Sequence, residues 1–542
     1  MRFSEKLSKD SPREIWQEYC GFLDLSMEEY MQIQKSLLIE QIRLLSDSKL
    51  GRRLLKNTIP QSVDEFRRTV PLTRYEDYAD TLLLKREDDL PAKPVVWLET
   101  TWEGGEFPRK CAPYSKSMLD TYTRNMLSII VLSGATRREH YRVRQNGKIL
   151  YTLAPMPYPT GLFPHLAKGE IDFRFMPPVK EAVSLSFSKQ MAKGFEMAVK
   201  KGMHQFFGMS SILYYISENL LNSSSGSGFS LKKLAGMSPV MLYRFMKARY
   251  RCRRDKVPML PRDIFKLDAF VCVGNDSTLY KNDLEKFWGK RPMEIAGGTE
   301  PTLIGTETWS HNGLVLFPDV CFYEFIPEKE MQRSLDDPSY TPRTYLMDEL
   351  SANQLYELVI TVLKGGVFTR YRVGDVYRCL RLHNPADGLS IPQFEFINRT
   401  PNVIDIGGFT RITAREIEKV INLSRLPISH WAALKEYDSE KHAFLQMFIE
   451  LDEEGDSQIA AADIVKQHLS LYFQYYDDDY IDLKKLINMD PLRVNVVPKG
   501  SFSAFESMRG HQIRSINPPT SDVVDFRSIC GLNRNGGVNA WQ

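Results

Sequence analysis

The sequence predicts an α/β protein in two parts, a large N-terminal sheet domain with a β-rich closing portion and a small α+β C-terminal domain. Three observations carry this expectation. Between about residues 93 and 320, short runs rich in Val, Ile, Phe and Tyr alternate with helical stretches. From Tyr356 strand-like segments follow one another in hairpin fashion, and after Arg399 a helix with its own capping sequence opens a new run of structure. At 542 residues the chain exceeds what one ordinary core organises, so two or three domains are expected, with the division placed between 1–397 and 398–542.

Taken in order, residues 12–57 carry apolar positions at helical spacing among many charges and predict a pair of amphipathic helices. RRTVPLTRYEDYADTLL then turns at Pro71 into a further helix. PVVWLETTW, GKILYTLAP, DAFVCVG and PMEIAGG are strand candidates, and NSSSGSG (222–228) is a flexible surface connection. MLYRFMKARYRCRRDK, from Met241, predicts a helix with one face in the core and a solvated cationic face, a basic patch for nucleic acid being the alternative. ELVITVL, a KGG turn, FTRYRVGDVYRCL and QFEFINR predict a hairpin-rich sheet over 356–397. In TPNVIDIGGFTRITAREIEKVI, Thr413 and Glu416 form a capping box before an apolar helix, which starts the small domain.

Composition narrows the function classes. Hydrophobic content of 43%, charged content of 26% and an aromatic fraction of 11% describe a folded globular chain. A net charge of +3 gives no reason to expect nucleic acid or a membrane as partner, and such a partner would need a local patch. Seven scattered cysteines without a CxxC pair disfavour a disulfide framework or zinc site and fit a reducing cytoplasm. The charged N-terminus lacks the apolar core of a signal peptide, and the longest apolar run, MLSIIVL, is far short of the roughly 20 residues a spanning helix needs.

Four constellations bear on chemistry. ETTWEGGEFPRKCAP (99–113) supplies Thr100, Thr101, Gly104, Gly105 and Lys110, the parts of a phosphate cradle, but sets Glu103 and Glu106 among them, whose charge opposes a polyphosphate. In IAGGTEPTLIG (295–305), a strand ends in two glycines, after which Thr299 offers a hydroxyl and Glu300 a carboxylate suited to Mg²⁺; a plain tight turn is the alternative. In TRYRVGDVYRC (369–379), Gly374 permits a close turn and Asp375 could accept from two ribose hydroxyls, though Gly-Asp is also a common turn pair. Arg399 stands where the chain leaves the large domain, followed by Gly407 and Gly408, which suit a mobile loop. Asp477, Asp478 and Asp479 are consecutive and read as a solvated turn, and no GxSxG or HExxH occurs.

The order of these pieces resembles the adenylate-forming superfamily, and within it the plant auxin-responsive acyl-acid amido synthetases and their bacterial relatives. FRRTVPLTRYEDYADTL (66–82), ELVITVLKGGVFTRYRVGDVYRC (357–379) and the INR element carry the likeness, over most of the chain. The resemblance implies an ATP-dependent ligase that adenylates a carboxylic acid and passes the acyl group to an amine such as an amino acid, with ATP and Mg²⁺ as cofactors. It implies Thr299 and Glu300 near the α-phosphate, Glu300 as the metal ligand, Asp375 on the ribose, Tyr371 and Arg372 lining the adenylate pocket, and Arg399 as the hinge arginine. Thr100, Thr101, Gly104, Gly105 and Lys110 are implied at the phosphate loop, with Lys110, Glu300 and Arg399 catalytic. Two departures stand out: the loop lacks the family's glycine-and-hydroxyl core, and Asn517 occupies the position of a terminal lysine, for which Lys499 is a conceivable substitute. A catalytically degenerate nucleotide- or acid-binding protein on the same scaffold is therefore the alternative. No motif marks the acid, the acceptor or the oligomeric state.

Overall fold

The computed structural model describes residues 1–101, 109–225, 236–274, 277–406, 410–452, 458–476 and 491–532. These form two compact units, one from residues 1–101, 109–273 and 277–396, the other taking in the chain from Ile397 onward.

The N-terminal segment folds into more pieces than the expected pair: Pro12–Cys20, Met27–Ser46 and Lys49–Leu54, after a first helix Phe3–Lys9. Each break has a local cause. Ser11 and Ser26 close capping boxes with Glu14 and Glu29, so each starts a helix afresh, and Ser48 accepts from the Gly51 amide at 3.0 Å to start the next.

Two hairpins precede the main sheet, β1 (Pro94–Thr101) with β2 (Arg109–Ser115), and β3 (Ala135–Arg137) with β4 (His140–Tyr141). The sheet itself has 11 strands. Its first half is parallel: β5 (Lys148–Tyr151), β6 (Arg174–Met176), β7 (Gln205–Met209), β8 (Ala269–Val273) and β9 (Met293–Gly298), in the order 6-5-7-8-9. A tight hairpin then leads from β9 into β10 (Thr302–Glu307), and the sheet continues through β11 (Leu314–Leu316), β15 (Gln393–Arg399), β14 (Tyr371–Arg381), β13 (Gln354–Val362) and β12 (Cys321–Pro327). The hairpin-rich segment expected over 356–397 is continuous with the parallel strands in one sheet. The β9–β10 hairpin is where pairing changes from parallel to antiparallel.

Every strand candidate of the sequence falls on a strand, because Val, Ile and aromatic residues fit the pleated, buried surface. MLSIIVL lies in the helix Lys116–Ser133, where residues 126–132 are buried without exception. Among the described residues no helix is long and apolar enough to cross a membrane, and all seven cysteines are free.

In the second unit, β16 (Val403–Ile406) and β17 (Thr410–Thr413) pair as a hairpin, and β18 (Ile428–Tyr437), β19 (Ala443–Leu451) and β20 (Leu492–Val497) form a sheet. The Thr413–Glu416 capping box is present, the Thr413 amide donating to the Glu416 carboxylate at 2.8 Å. Ala432, Leu434, Phe448, Phe502, Phe505 and Phe526 give this unit its own core. Gly407, Gly408 and Asp477 to Asp479 lie outside the described residues.

Candidate active site

Glycine sterics set the first part of the site. A Cβ on Gly297 would meet the Thr302 carbonyl at 2.5 Å, so only glycine allows β9 and β10 to close so tightly. The turn between them presents Thr299 and Glu300, both buried.

The β1–β2 hairpin supplies the cation. Thr100 pairs directly with Lys110, so the two share one face, and the strand period of two puts Lys110, Ala112 and Tyr114 on that face as well. Lys110 Nζ donates to Glu300 Oε1 at 2.9 Å, and Tyr114 Oη donates to the Thr299 carbonyl at 2.9 Å. Tyr75 anchors the same strand: its hydroxyl accepts from the Cys111 amide at 2.6 Å and donates to the Cys111 carbonyl at 3.0 Å, while Lys110 Nζ stands 5.4 Å above its ring.

β14 supplies the third part. Tyr371 Oη donates to the same Glu300 oxygen at 2.7 Å and lies 3.2 Å from Lys110 Nζ, closing a triangle of carboxylate, ammonium and phenol. The segment carrying Tyr75 is fixed to β14 by the backbone: the Thr73 amide donates to the Arg370 carbonyl at 2.9 Å and the Arg372 amide to the Thr73 carbonyl at 3.0 Å. Two segments about 300 residues apart in sequence are joined in this way.

Burial alone pushes the Glu300 carboxyl up, but the Lys110 ammonium and the Tyr371 hydroxyl outweigh it and hold the carboxyl at about 2. Burial and the neighbouring carboxylate push the Tyr371 phenol well above its ordinary range. The phenol is therefore a fixed donor and Glu300 a fixed anion.

Further along β14, Glu357 pairs with Val376 while Val359 pairs with Arg372, so residues 373–375 face Leu358 alone. Gly374, at φ +82°, supplies the left-handed backbone that this bulge uses, and Asp375 follows it in the chain. Arg372 is held elsewhere, by two bonds of 2.7 and 2.6 Å to the buried Glu357. Arg370, at φ +45°, forks onto Glu324 at 3.0 and 2.8 Å and also donates to the Arg67 and Val70 carbonyls.

The structure thus brings together Lys110, Glu300 and Tyr371, with Thr299 adjoining and Thr100 on the lysine's face. Gly104 and Gly105 lie outside the described residues, and Thr101 is described in its backbone pairing with Arg109. Arg399 belongs to the second unit, at the end of β15, its amide donating to Asn398 Oδ1 at 2.8 Å. In that unit Asn517 is buried at φ +44°, its amide side chain donates to the Val403 and Pro401 carbonyls at 2.8 and 3.3 Å, and its backbone N–H donates to the Ala433 carbonyl. Lys499 Nζ donates to the Asp452 carbonyl at 2.6 Å. Sequence reasoning missed Tyr75, Tyr114 and Arg370; the alternation Lys110-x-Ala112-x-Tyr114 was the signal for Tyr114.

Comparison with known proteins sharpens the assignment. Residues 20–160 match the GH3 family N-terminal domain and residues 314–399 the GH3 family central domain. Two stretches of the chain are thus similar to domains of the GH3 family. Between them these stretches hold Lys110, Tyr371, Arg372, Asp375 and Arg399. Jasmonoyl-L-amino acid synthetase GH3.5 of Oryza sativa subsp. japonica is 27% identical to this chain over 233 residues, which is 39% of the chain and 38% of that protein. Alignment with that relative therefore spans well under half its length. Among solved structures, AtGH3.15 acyl acid amido synthetase in complex with 2,4-DB is 15% identical, covering 96% of this chain and 97% of that one at a TM-score of 0.51. 2-Hydroxyisobutyryl-CoA ligase in complex with 2-HIB-AMP and CoA is 14% identical, with 90% of each chain covered at a TM-score of 0.55. The fold is that of the adenylate-forming enzymes.

Proposed function

We propose that this chain is an ATP-dependent acyl-acid amido synthetase: it adenylates a carboxylic acid and transfers the acyl group to an amine such as an amino acid. The observation that carries the proposal is the Lys110–Glu300–Tyr371 triangle at the β9–β10 turn, an ionised carboxylate and an ammonium set together where the sheet changes from parallel to antiparallel. In the first step a carboxylate oxygen of the acid bonds to the α-phosphorus and pyrophosphate departs. In the second the amine nitrogen bonds to the acyl carbon, AMP departs and the amine loses a proton.

Such transfers depend on cations and donors held around spreading negative charge. Lys110 supplies the cation and Tyr371 the donor. Mg²⁺ ordinarily takes one or two protein carboxylates plus phosphate oxygens, and Glu300, ionised and with side-chain exposure of 11%, fits that role. When bound, the ion would neutralise phosphate charge. We assign Asp375 on its bulge to the ribose hydroxyls, Thr299 and Thr100 to the phosphate side, and Arg399 to the passage into a mobile small domain over 398–542. Arg372 is assigned to holding β14 through Glu357. Seven free thiols support a reducing, cytoplasmic setting.

A second reading, a binding protein without turnover, is favoured by Asn517, whose amide is committed to backbone carbonyls where a lysine is expected. Calorimetry with ATP and Mg²⁺ on the full chain, beside Asp375→Ala, followed by pyrophosphate release with panels of acids and amines, separates the two. Binding lost in the variant together with acid-dependent pyrophosphate release establishes the ligase. Binding without release leaves the binder, and no binding at millimolar ATP removes the ligase and leaves an acid binder, which calorimetry with the acid panel then tests.

A further inference from the structure

The helix Pro239–Asp255 holds six cations, Arg244, Lys247, Arg249, Arg251, Arg253 and Arg254, against one acid, Asp255. That is +5 on one helix in a chain whose total is +3, so the remainder of the chain sums to −2. The near-neutral total conceals a strongly positive element.

Met241, Phe245, Ala248 and Cys252 are buried and define the helix's core face. At about 100° per residue, Val240, Tyr243, Met246 and Tyr250 fall on the opposite side, and they are 61, 65, 53 and 72% exposed. Arg244 and Arg251 flank this outer stripe on one side and Arg249 and Arg253 on the other, with Lys247 and Arg254 among the aromatics. Arg251 pairs with Asp263 and Arg254 with Asp255, whereas Arg244, Lys247, Arg249 and Arg253 form no ion pair with any described residue. The positive field reaches past the helix. Burial first, then Arg174, Lys201 and Arg244, hold the Lys148 ammonium below its ordinary range.

Single exposed apolar residues need no account, but a continuous stripe between two rows of cations does. We propose that this face docks on an anionic phospholipid bilayer, the helix lying in the headgroup region with Val240, Tyr243, Met246 and Tyr250 inserted between the lipids. Charge complementarity selects an anionic partner. The aliphatic members select lipid over nucleic acid, because Val240 and Met246 gain nothing from a phosphate backbone or a stacked base, whereas they gain apolar burial at an acyl boundary. Seventeen helical residues present about 25 Å of straight contact to a flat surface. The expectation of no membrane partner rested on the whole-chain charge; the local patch it called for is here.

The test is flotation of the full chain with phosphatidylcholine vesicles, with and without phosphatidylserine, in low and high salt. The expected result is flotation with the serine lipid alone, weakened by salt. Lys247→Glu/Arg253→Glu is expected to weaken it by at least about tenfold. Tyr243→Ser/Tyr250→Ser should weaken it severalfold, and a Tyr250→Trp probe should blue-shift on the same vesicles. Melting curves confirm that these surface variants fold. Absence of flotation, equal flotation on the neutral vesicles, or full retention by the tyrosine variant would overturn the proposal. Duplex DNA bound as tightly at the same salt would assign the face to nucleic acid instead.

Discussion

At the residue scale, the chemistry rests on Glu300 staying ionised in a buried position. Its folded carboxyl lies at about 2 against an ordinary 4.5, so its contribution to stability is complete above about pH 4.5 and is lost as pH falls toward 2. Glu300→Gln is expected to flatten that acid limb in denaturant unfolding run across the same range, and to cost on the order of 3 kcal/mol near neutral pH by leaving Lys110 without its anion. Lys110→Met should cost a similar amount, and the double variant less than the sum of the two, because the charges are worth having only together. A double-mutant cycle measures that difference. If both single variants unfold like the parent, the triangle is not formed in solution. Arg372→Met, by contrast, should lower the melting temperature through the orphaned Glu357 while leaving the pH limb of Glu300 in place.

At the scale of elements, strands and caps were legible because they are written locally. Short runs rich in Val, Ile, Phe and Tyr specify β5, β8, β9, β13 and β14, and Thr413-x-x-Glu416 specifies a helix start. The segmentation of the first helices was misjudged, since the Ser11 and Ser26 boxes were there to be read. What no local signal could show is that Lys110 meets a carboxylate 190 positions away, or that residues 373–375 leave the ladder as a bulge. Both depend on register, which only tertiary pairing fixes. Two glycine tests belong here. Gly374→Ala, forced to keep φ +82°, should cost about 1–2 kcal/mol and weaken nucleotide binding by reshaping the bulge. Gly297→Ala should cost about 1–3 kcal/mol by driving a methyl into the Thr302 carbonyl. Chemical denaturation with ATP titration reads both, and an unchanged nucleotide affinity in Gly374→Ala would detach Asp375 from the ribose.

At the scale of the whole molecule, two units with separate cores describe a chain able to unfold in stages. Calorimetric melting is expected to resolve more than one transition, and a substitution confined to the second core, such as Phe526→Ala, should shift one transition and spare the other. A single two-state melt displaced as a whole would remove the proposed domain division. Net charge was the least informative whole-molecule quantity, for a total of +3 averages one helix at +5 with everything else.

Asn517 limits which residues its position can take. Its left-handed backbone suits asparagine, and while its carboxamide donates to the Pro401 and Val403 carbonyls its backbone N–H donates to the Ala433 carbonyl, so the residue ties the strand following Pro401 to the sheet strand at Ala433. A lysine at that position would have to adopt the same backbone while burying a long charged chain where a short amide sits. A lysine introduced there is therefore expected to damage the unit before it supplies a cation, and an engineered cation is better placed at another position.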